Sequence, residues 1–147
     1  MATFQLEIVT PEGLIFPAKD SEGKVGSKEV DFLILPGSEG EMGVYAGHAP
    51  LMTQLKPGEL VFLQNGKETV LAVGEGFVEV TQDAVAILTD MALQADDIDE
   101  AVAKDAIARA EAALQNQIAD DQEVATVNAS LQKSLAQLKV KSRTHKK

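Results

Sequence analysis

Residues 35–60, LPGSEGEMGVYAGHAPLMTQLKPGEL, contain five glycines and three prolines. Glycine and proline at this density interrupt helices and favour tight turns between short strands. The ionisable side chains before Pro50 are Glu39, Glu41 and His48. The apolar residues between the turns are candidates for a buried core: Met42, Val44, Leu51, Met52 and Leu55. The stretch therefore predicts a rigid, turn-rich segment that holds a few polar groups in fixed positions.

Apolar patterns on both sides of this segment predict β-strands. Residues 3–9 place Phe4, Leu6 and Ile8 on one face, the two-residue period of a half-buried strand. Further strands are predicted at 14–16, 29–35, 59–64, 67–73, 77–81 and 84–90. The nearly continuous apolar run of 29–35 is typical of a strand covered on both sides. With a tight-turn dipeptide at Asn65-Gly66, this pattern favours an all-β sandwich or barrel of roughly eight to ten strands.

The pattern changes near residue 96, because no Gly or Pro occurs between 97 and 143. Asp97-x-x-Glu100 resembles a capping box and predicts a helix from 98 to about 118 with a mostly alanine face. Asp120-x-x-Glu123 suggests a second cap. A narrow apolar stripe follows it: Val124, Val127, Leu131, Leu135 and Leu138. We therefore predict an antiparallel α-helical hairpin, with domains at 1–91 and 92–147, and expect the weak hairpin to depend on contacts elsewhere.

Charge is distributed unevenly along a chain whose formal net charge is −10. Residues 1–95 carry 14 acidic and 5 basic side chains, whereas the chain from 133 onward has six basic residues and no acid. An acidic body repels nucleic acid, so we expect no nucleic-acid partner for the main domain. The basic end is either a favourable charge at a helix C-terminus or a binding patch for an anionic partner.

The residues give little support for disulfide, membrane-spanning, metal-binding or catalytic functions. The chain has no Cys, which excludes disulfides and thiolate sites, and no apolar run of membrane-spanning length. We therefore expect an intracellular protein, with peripheral attachment to a membrane complex left open. His48 lacks a serine nucleophile motif nearby, and one His with scattered carboxylates does not make a zinc site. No catalytic or metal site is expected, although His48 with Glu39 or Glu41 remains a minor hydrolase alternative.

Protein binding is the hypothesis that fits the turn-rich segment best. A rigid acidic turn bearing Met42, Tyr45 and His48 suits docking onto a basic, partly apolar surface. The weak helix pair is then interpreted as a mobile arm, since local opening is easiest where few contacts hold a segment.

The sequence resembles the epsilon subunit of bacterial and chloroplast F-type ATP synthases. The resemblance is carried by the motif in residues 37–58, G-S-E-G-E-x-G-x-Y-x-G-H-A-P-L-x-T-x-x-x-P-G. LEIVTPEGLIF, LAVGEGFVEV, AVAILTD and DIDEAVAKDAIARAEAAL support the resemblance in the same order along the chain. The resemblance implies a β-sandwich followed by a helical hairpin, in a non-catalytic central-stalk subunit. It also implies a peripheral position on the cytoplasmic side of a bacterial inner membrane, reached only through the complex.

The resemblance implies specific partners for residues of this chain. The sandwich would contact the membrane ring of c subunits through Ser38, Glu39, Glu41 and Met42, and the gamma subunit through Tyr45 and His48. The hairpin would inhibit ATP hydrolysis when extended, because it then reaches the alpha and beta subunits. The basic residues expected to contact this catalytic head are Lys133, Lys139, Lys141 and Arg143.

Two departures from the family pattern qualify these expectations. Members that bind ATP carry [IL]-D-x-x-R-A at the first helix, whereas Val102 stands here in place of the Arg. Asp99 and Arg109 remain as candidate nucleotide contacts, but we expect no cofactor. The segment 18–31 is longer than usual before the LPG turn and is interpreted as a surface hairpin extension. A stand-alone intracellular β-sandwich module that binds a ligand or protein is the main alternative function.

Overall fold

A computed structural model describes residues 2–115 and 121–145, with side chains described through 115 and from 124 to 142. The described part begins with strands, whose bounds are β1 Phe4–Thr10, β2 Gly13–Phe16, β3 Glu29–Val30, β4 Phe32–Gly37, β5 Gly40–Tyr45, β6 Leu51–Leu55, β7 Gly58–Gln64, β8 Lys67–Val73, β9 Gly76–Val80, β10 Ala84–Thr89 and β11 Ala92–Gln94. A short 3-10 helix, Ala95–Asp97, leads to α1, Glu100–Gln115, and α2, Asp121–His145. The predicted all-β domain followed by two helices is confirmed.

The strands form one hydrogen-bonded sheet that closes into two layers around a core. The order is β11-β8-β7-β4-β6-β9-β10-β1-β2, with β5 added to β4 and β3 added to β1. One layer therefore contains β6, β9, β10, β1 and β2, and the other contains β4, β5, β7, β8 and β11. β1 and β10 pair in parallel, whereas β9 is antiparallel to both β6 and β10.

Alternating side chains of both layers fill the core, as the two-residue period predicts. The largest fully buried side chains include Leu6, Ile8, Leu33, Leu35, Leu60, Leu71 and Ile87. The predicted turn between β7 and β8 is confirmed, because Asn65 and Gly66 have φ of 52° and 78°. In the predicted hairpin extension, Asp20 accepts hydrogen bonds from the backbone of Glu22 and Lys24, and Lys19 bridges to Val25.

The single strand predicted at 29–35 is wrong in two respects. β3 pairs with β1, whereas β4 pairs with β5 and β7, so the chain changes partner strands at Asp31. The backbone N–H of Asp31 donates to Leu63 O at 2.7 Å, which anchors this crossing. β4 then alternates buried and half-buried residues rather than being covered equally on both faces.

The core prediction for the turn-rich segment is also partly wrong. Val44 and Leu55 are buried and Met42 is half-buried, but Leu51 and Met52 are 40% and 70% exposed. Met52 pairs with Glu79 of β9 on the outer face of its layer. Leu51 begins β6 at the end of the sandwich, where neighbouring strands cover it incompletely.

The helical hairpin packs on the outer face of the β7–β8 layer. Val140 of α2 is fully buried against Ala72 of β8 and Ile98 of the linker, with Val70, Met91, Leu93 and Ala95 around them. The hairpin therefore has contacts outside itself, and its dependence on them stays a prediction. β11 pairs with β8, so the sheet continues past the boundary drawn after residue 91.

Details of the helical predictions differ from the structure. α1 begins at Glu100, and Asp99 caps it by accepting the backbone N–H of Val102 at 3.2 Å, so the capping box at Asp97 is wrong. Leu135 is 43% exposed. It lies about 200° around α2 from Lys133, which contacts the sandwich, because each residue turns a helix by about 100°. The joint predicted at 119–123 and the cap at Asp120 lie largely outside the described residues.

Candidate functional surfaces

The turn between β4 and β5 holds the acidic group singled out in the sequence. Ser38 and Glu39 form the turn, and Gly37 pairs with Gly40 at its base. The backbone N–H of Ser38 donates to Gln54 O at 3.0 Å, which ties the turn to the end of β6. Glu39 and Glu41 are exposed, and Met42 is half-buried on the same hairpin. Ser38, Glu39 and Glu41 therefore lie at one end of the sandwich, whereas the neighbouring Met42 is half-buried and packs against the core.

His48 and Tyr45 lie at the opposite end of β5. The six residues Gly40–Tyr45 separate the two ends by roughly 17 Å at the rise of an extended strand. His48 Nδ1 lies 2.8 Å from Ala49 O, and its backbone N–H donates to Tyr45 O. A general base and its carboxylate partner require hydrogen-bond distance. The hydrolase alternative, His48 with Glu39 or Glu41, is therefore excluded by this geometry.

Tyr45 and the His48 loop do not share one face of the sandwich. Tyr45 is 63% exposed and stacks on Phe32, with ring centroids 5.5 Å apart, on the outer face of the β4–β5 layer. After His48 the chain enters β6, which belongs to the other layer. The His48 loop therefore connects the two outer faces around the end of the sandwich.

An exposed apolar surface on β6, β9 and β10 was missed by the sequence reasoning. Met52, Phe77 and Leu88, here called the apolar patch, are 70%, 57% and 57% exposed. Phe77 lies directly opposite Gln54 on one side and Leu88 on the other, while Met52 lies opposite Glu79. All three side chains therefore share the outer face of the layer that the helices, as far as they are described, leave uncovered.

A signal for the apolar patch was present in the sequence. FVEV places Phe77 on the same face as Glu79 and opposite the buried Val78 and Val80. An aromatic residue on the charged face of a strand is unusual unless another surface covers it. The acidic residues Glu75 and Glu79 flank the patch, so a complementary surface would be apolar with basic edges.

The basic residues of α2 are divided between the sandwich and solvent. Lys133 forms an ion pair with Asp90 at 2.5 Å, and Lys141 donates to Ala95 O at 2.9 Å. Lys139 is exposed, and the side chain of Arg143 lies outside the described residues. The predicted cationic contacts are therefore not a single free surface in this conformation.

The candidate nucleotide contacts are not brought together. Asp99 caps the start of α1, whereas Arg109 forms an ion pair at 3.1 Å with Asp105, one turn earlier in the same helix. Ten residues of helix separate Asp99 and Arg109 by about 15 Å. Val102 between them is 60% exposed and has no charge. Within the described residues, no group of three or more His, Asp or Glu side chains could hold a metal ion.

None of the described helices combines the length and the apolar character needed to cross a membrane.

Known protein families match each of the two parts of the fold separately. Residues 3–95 match the family model "ATP synthase, Delta/Epsilon chain, beta-sandwich domain", and residues 96–142 match "ATP synthase, Delta/Epsilon chain, long alpha-helix domain". The chain is 40% identical over 141 residues to the ATP synthase epsilon chain of Laribacter hongkongensis, covering 95% of this chain and 93% of that protein. Identity to the epsilon chain of Dehalococcoides mccartyi is 40% over 146 residues, covering 99% and 97%.

A solved structure resembles the whole fold. A chain in the Euglena gracilis mitochondrial ATP synthase, in an assembly described as OSCP/F1/c-ring, superposes with a TM-score of 0.71 at 26% identity. The superposition covers 90% of this chain and 77% of that one. The similarity therefore extends across both the sheet and the helices.

Proposed function

The chain belongs to the ATP synthase delta/epsilon family as an epsilon subunit of the F-type central stalk, and from this premise we propose that it is a non-catalytic rotor subunit that couples the catalytic head to the ion-translocating ring. Three surfaces of the chain support distinct parts of this role. They are the apolar patch, the acidic turn at Ser38–Glu39 and, once α2 leaves the sandwich, the basic residues of that helix.

The apolar patch is proposed as the principal gamma-binding surface. It is the observation that carries the proposal, because Met52, Phe77 and Leu88 form an exposed apolar face without cover from the described helices. Burying a side chain of this size in an interface is worth about 1.5–3 kcal/mol. The flanking acids Glu75 and Glu79 match a partner that presents Lys or Arg at the edge of its apolar contact.

His48 extends this surface around the end of the sandwich. It precedes β6 by three residues, and Leu51 at the start of β6 is 40% exposed. A gamma segment on the apolar patch would therefore have to pass over the start of β6 to reach His48, because Leu51 faces away from Met52 on that strand. Tyr45 remains a proposed gamma contact, but it lies on the other layer, so gamma would have to bend around this end to reach it.

The acidic turn is proposed to contact the ring of c subunits. Glu39 and Glu41 are exposed, and the backbone bond from Ser38 to β6 holds their turn in place. A rigid turn transmits torque better than a mobile loop, because its contacts do not yield when the ring pushes on it. Met42 is half-buried and packs against the core, so it would offer only part of its side chain to this contact.

The helical hairpin is proposed to inhibit ATP hydrolysis when it leaves the sandwich and extends toward the alpha and beta subunits. Lys133, Lys139, Lys141 and Arg143 would then meet an acidic surface of the head. The separation of Asp99 from Arg109, with Val102 between them, supports a hairpin that does not bind regulatory ATP. A peripheral position on the cytoplasmic side of a bacterial inner membrane, held through the complex, remains part of this proposal.

Co-purification of gamma with the tagged chain tests the proposed function. Phe77→Asp should reduce the recovered gamma at least tenfold, because it buries a charge in an apolar contact and leaves the fold intact on an exposed position. Leu135→Asp provides a matched control, since Leu135 is an exposed apolar residue on α2. Equal recovery of gamma by both variants would refute the assignment of the patch, and absence of gamma with the unmodified chain would refute the rotor role.

A further inference from the structure

A rigid corner of the sandwich receives α2. It consists of the β8–β9 connection at Gly74–Glu75 and the β10–β11 connection at Asp90–Met91. Gly74 N–H donates to Met91 O at 3.0 Å, and Asp90 N–H donates to Glu75 O at 3.1 Å. The buried hydroxyl of Thr89 lies 3.0 Å from Glu75 O and 3.1 Å from Met91 O. These bonds fix the backbone that carries the Asp90 carboxylate.

Gly74 provides the space in which this carboxylate lies. A Cβ on Gly74 would be 2.0 Å from Asp90 Oδ1 and 3.2 Å from Lys133 Cε. Both atoms belong to side chains, so a larger residue would displace the ion pair rather than the strand. Glycine at this position therefore permits Asp90 and Lys133 to meet over the end of β8.

Three polar residues of α2 meet the corner and the linker at four-residue spacing. Lys133 pairs with Asp90, Gln137 Nε2 lies 3.0 Å from Met91 Sδ, and Lys141 donates to Ala95 O. Residues spaced by four share one side of a helix. The contacts thus follow the chain from Asp90 to Ala95 in register, and Val140 is buried beside them.

We propose that Gly74 and Asp90 form a latch that captures Lys133 and holds α2 in register on the sandwich. While the latch is closed, Lys133 and Lys141 are engaged in contacts within the chain and are withheld from other acidic partners. This regulatory consequence rests on the proposed function, in which the same cations contact the catalytic head. The latch itself rests only on contacts within the chain.

The ion pair contributes modestly, because the Lys133 and Asp90 side chains are 31% and 42% exposed. Partly exposed pairs of this kind change an equilibrium by about two- to fivefold when one partner is removed. Screening by salt reduces the effect further. The latch therefore biases a hairpin that can still open, and higher ionic strength should favour the open form.

Spin-label distances in the full chain test the latch. The sequence contains no Cys, so Lys67→Cys at the start of β8 and Asn128→Cys on α2 give two unique labels on exposed positions. At low salt, Asp90→Asn should increase the fraction of undocked hairpin about two- to fivefold, and 1 M salt should abolish the difference. Lys133→Gln should reproduce this result, which guards against a local effect of Asp90→Asn on the corner.

Asp105→Asn is the matched control, because it removes a carboxylate from an ion pair that lies within α1. It should leave the distance distribution unchanged, and exchanging the charges by Asp90→Lys with Lys133→Asp should restore docking. The latch is overturned if Asp90→Asn and Lys133→Gln leave the docked fraction unchanged, or if Asp105→Asn opens the hairpin equally. These distances are measured without the synthase, so failure of the catalytic-head contact would leave them unaffected.

Discussion

Val140→Ala should release the helical hairpin from the sandwich while leaving the sandwich folded. Val140 has no exposed surface and packs against Ala72 and Ile98. The substitution removes two methyl-sized groups, each worth about 0.8 kcal/mol of apolar burial. The cavity left behind adds to this loss, which gives about 2 kcal/mol in total. Because 1.4 kcal/mol is a factor of ten, the docking equilibrium should shift toward the open form by about 30-fold.

Hydrogen exchange measured by mass spectrometry resolves this effect along the chain. Peptides of β8, β11 and α2 should exchange faster in Val140→Ala, since the released hairpin uncovers the outer face of β8 and loses its own support. Peptides of β1, β9 and β10 should be unchanged. Val102→Ala is the matched control, because Val102 is 60% exposed. Unaltered exchange in α2 of Val140→Ala, or equal acceleration in both variants, would refute the account of docking.

Three further predictions concern the sandwich, the hairpin and nucleotides. A Cβ on Gly76 would lie 1.9 Å from the backbone atom Leu88 O, so Gly76→Ala should lower the free energy of unfolding in urea by about 1–3 kcal/mol or more. Gly74→Ala should leave the sandwich stable, because its Cβ would meet side-chain atoms only. Equal losses of stability in the two variants would contradict this difference between the two glycines. Removing residues 96–147 should raise ATP hydrolysis by the assembled synthase, and unchanged activity would remove the inhibitory role. Calorimetry with ATP should detect no binding in the micromolar range. A micromolar affinity would refute the expectation that this chain does not bind ATP.

The strand pattern predicted most of the fold because its causes are local. The alternation of Phe4, Leu6 and Ile8 and the Asn65-Gly66 turn each depend on neighbours within a few residues. The change of strand partner at Asp31 is different, since it depends on β1 and β7 reaching opposite sides of one apolar run. A continuous apolar run is compatible with either arrangement.

The candidate surfaces were predicted less completely for a related reason. Periodicity indicates which residues share a face, but it does not say which faces another element covers. Ala72 and Val70 lie on an outer face that α2 covers, whereas Phe77 and Leu88 lie on an outer face that it leaves open. The acidic turn was found because its glycines and charges are adjacent in sequence. The apolar patch is assembled from three strands and becomes visible only with their register.

Photo-crosslinking from position 77 in the purified synthase tests the rotor assignment most directly. A benzophenone amino acid in place of Phe77 should yield an adduct between this chain and gamma, because Phe77 is 57% exposed in the centre of the proposed interface. With the hairpin docked, the same probe at Leu135, on the opposite side of the sandwich, should not. An intact complex that gives no gamma adduct from position 77, or gives it equally from position 135, would contradict the account.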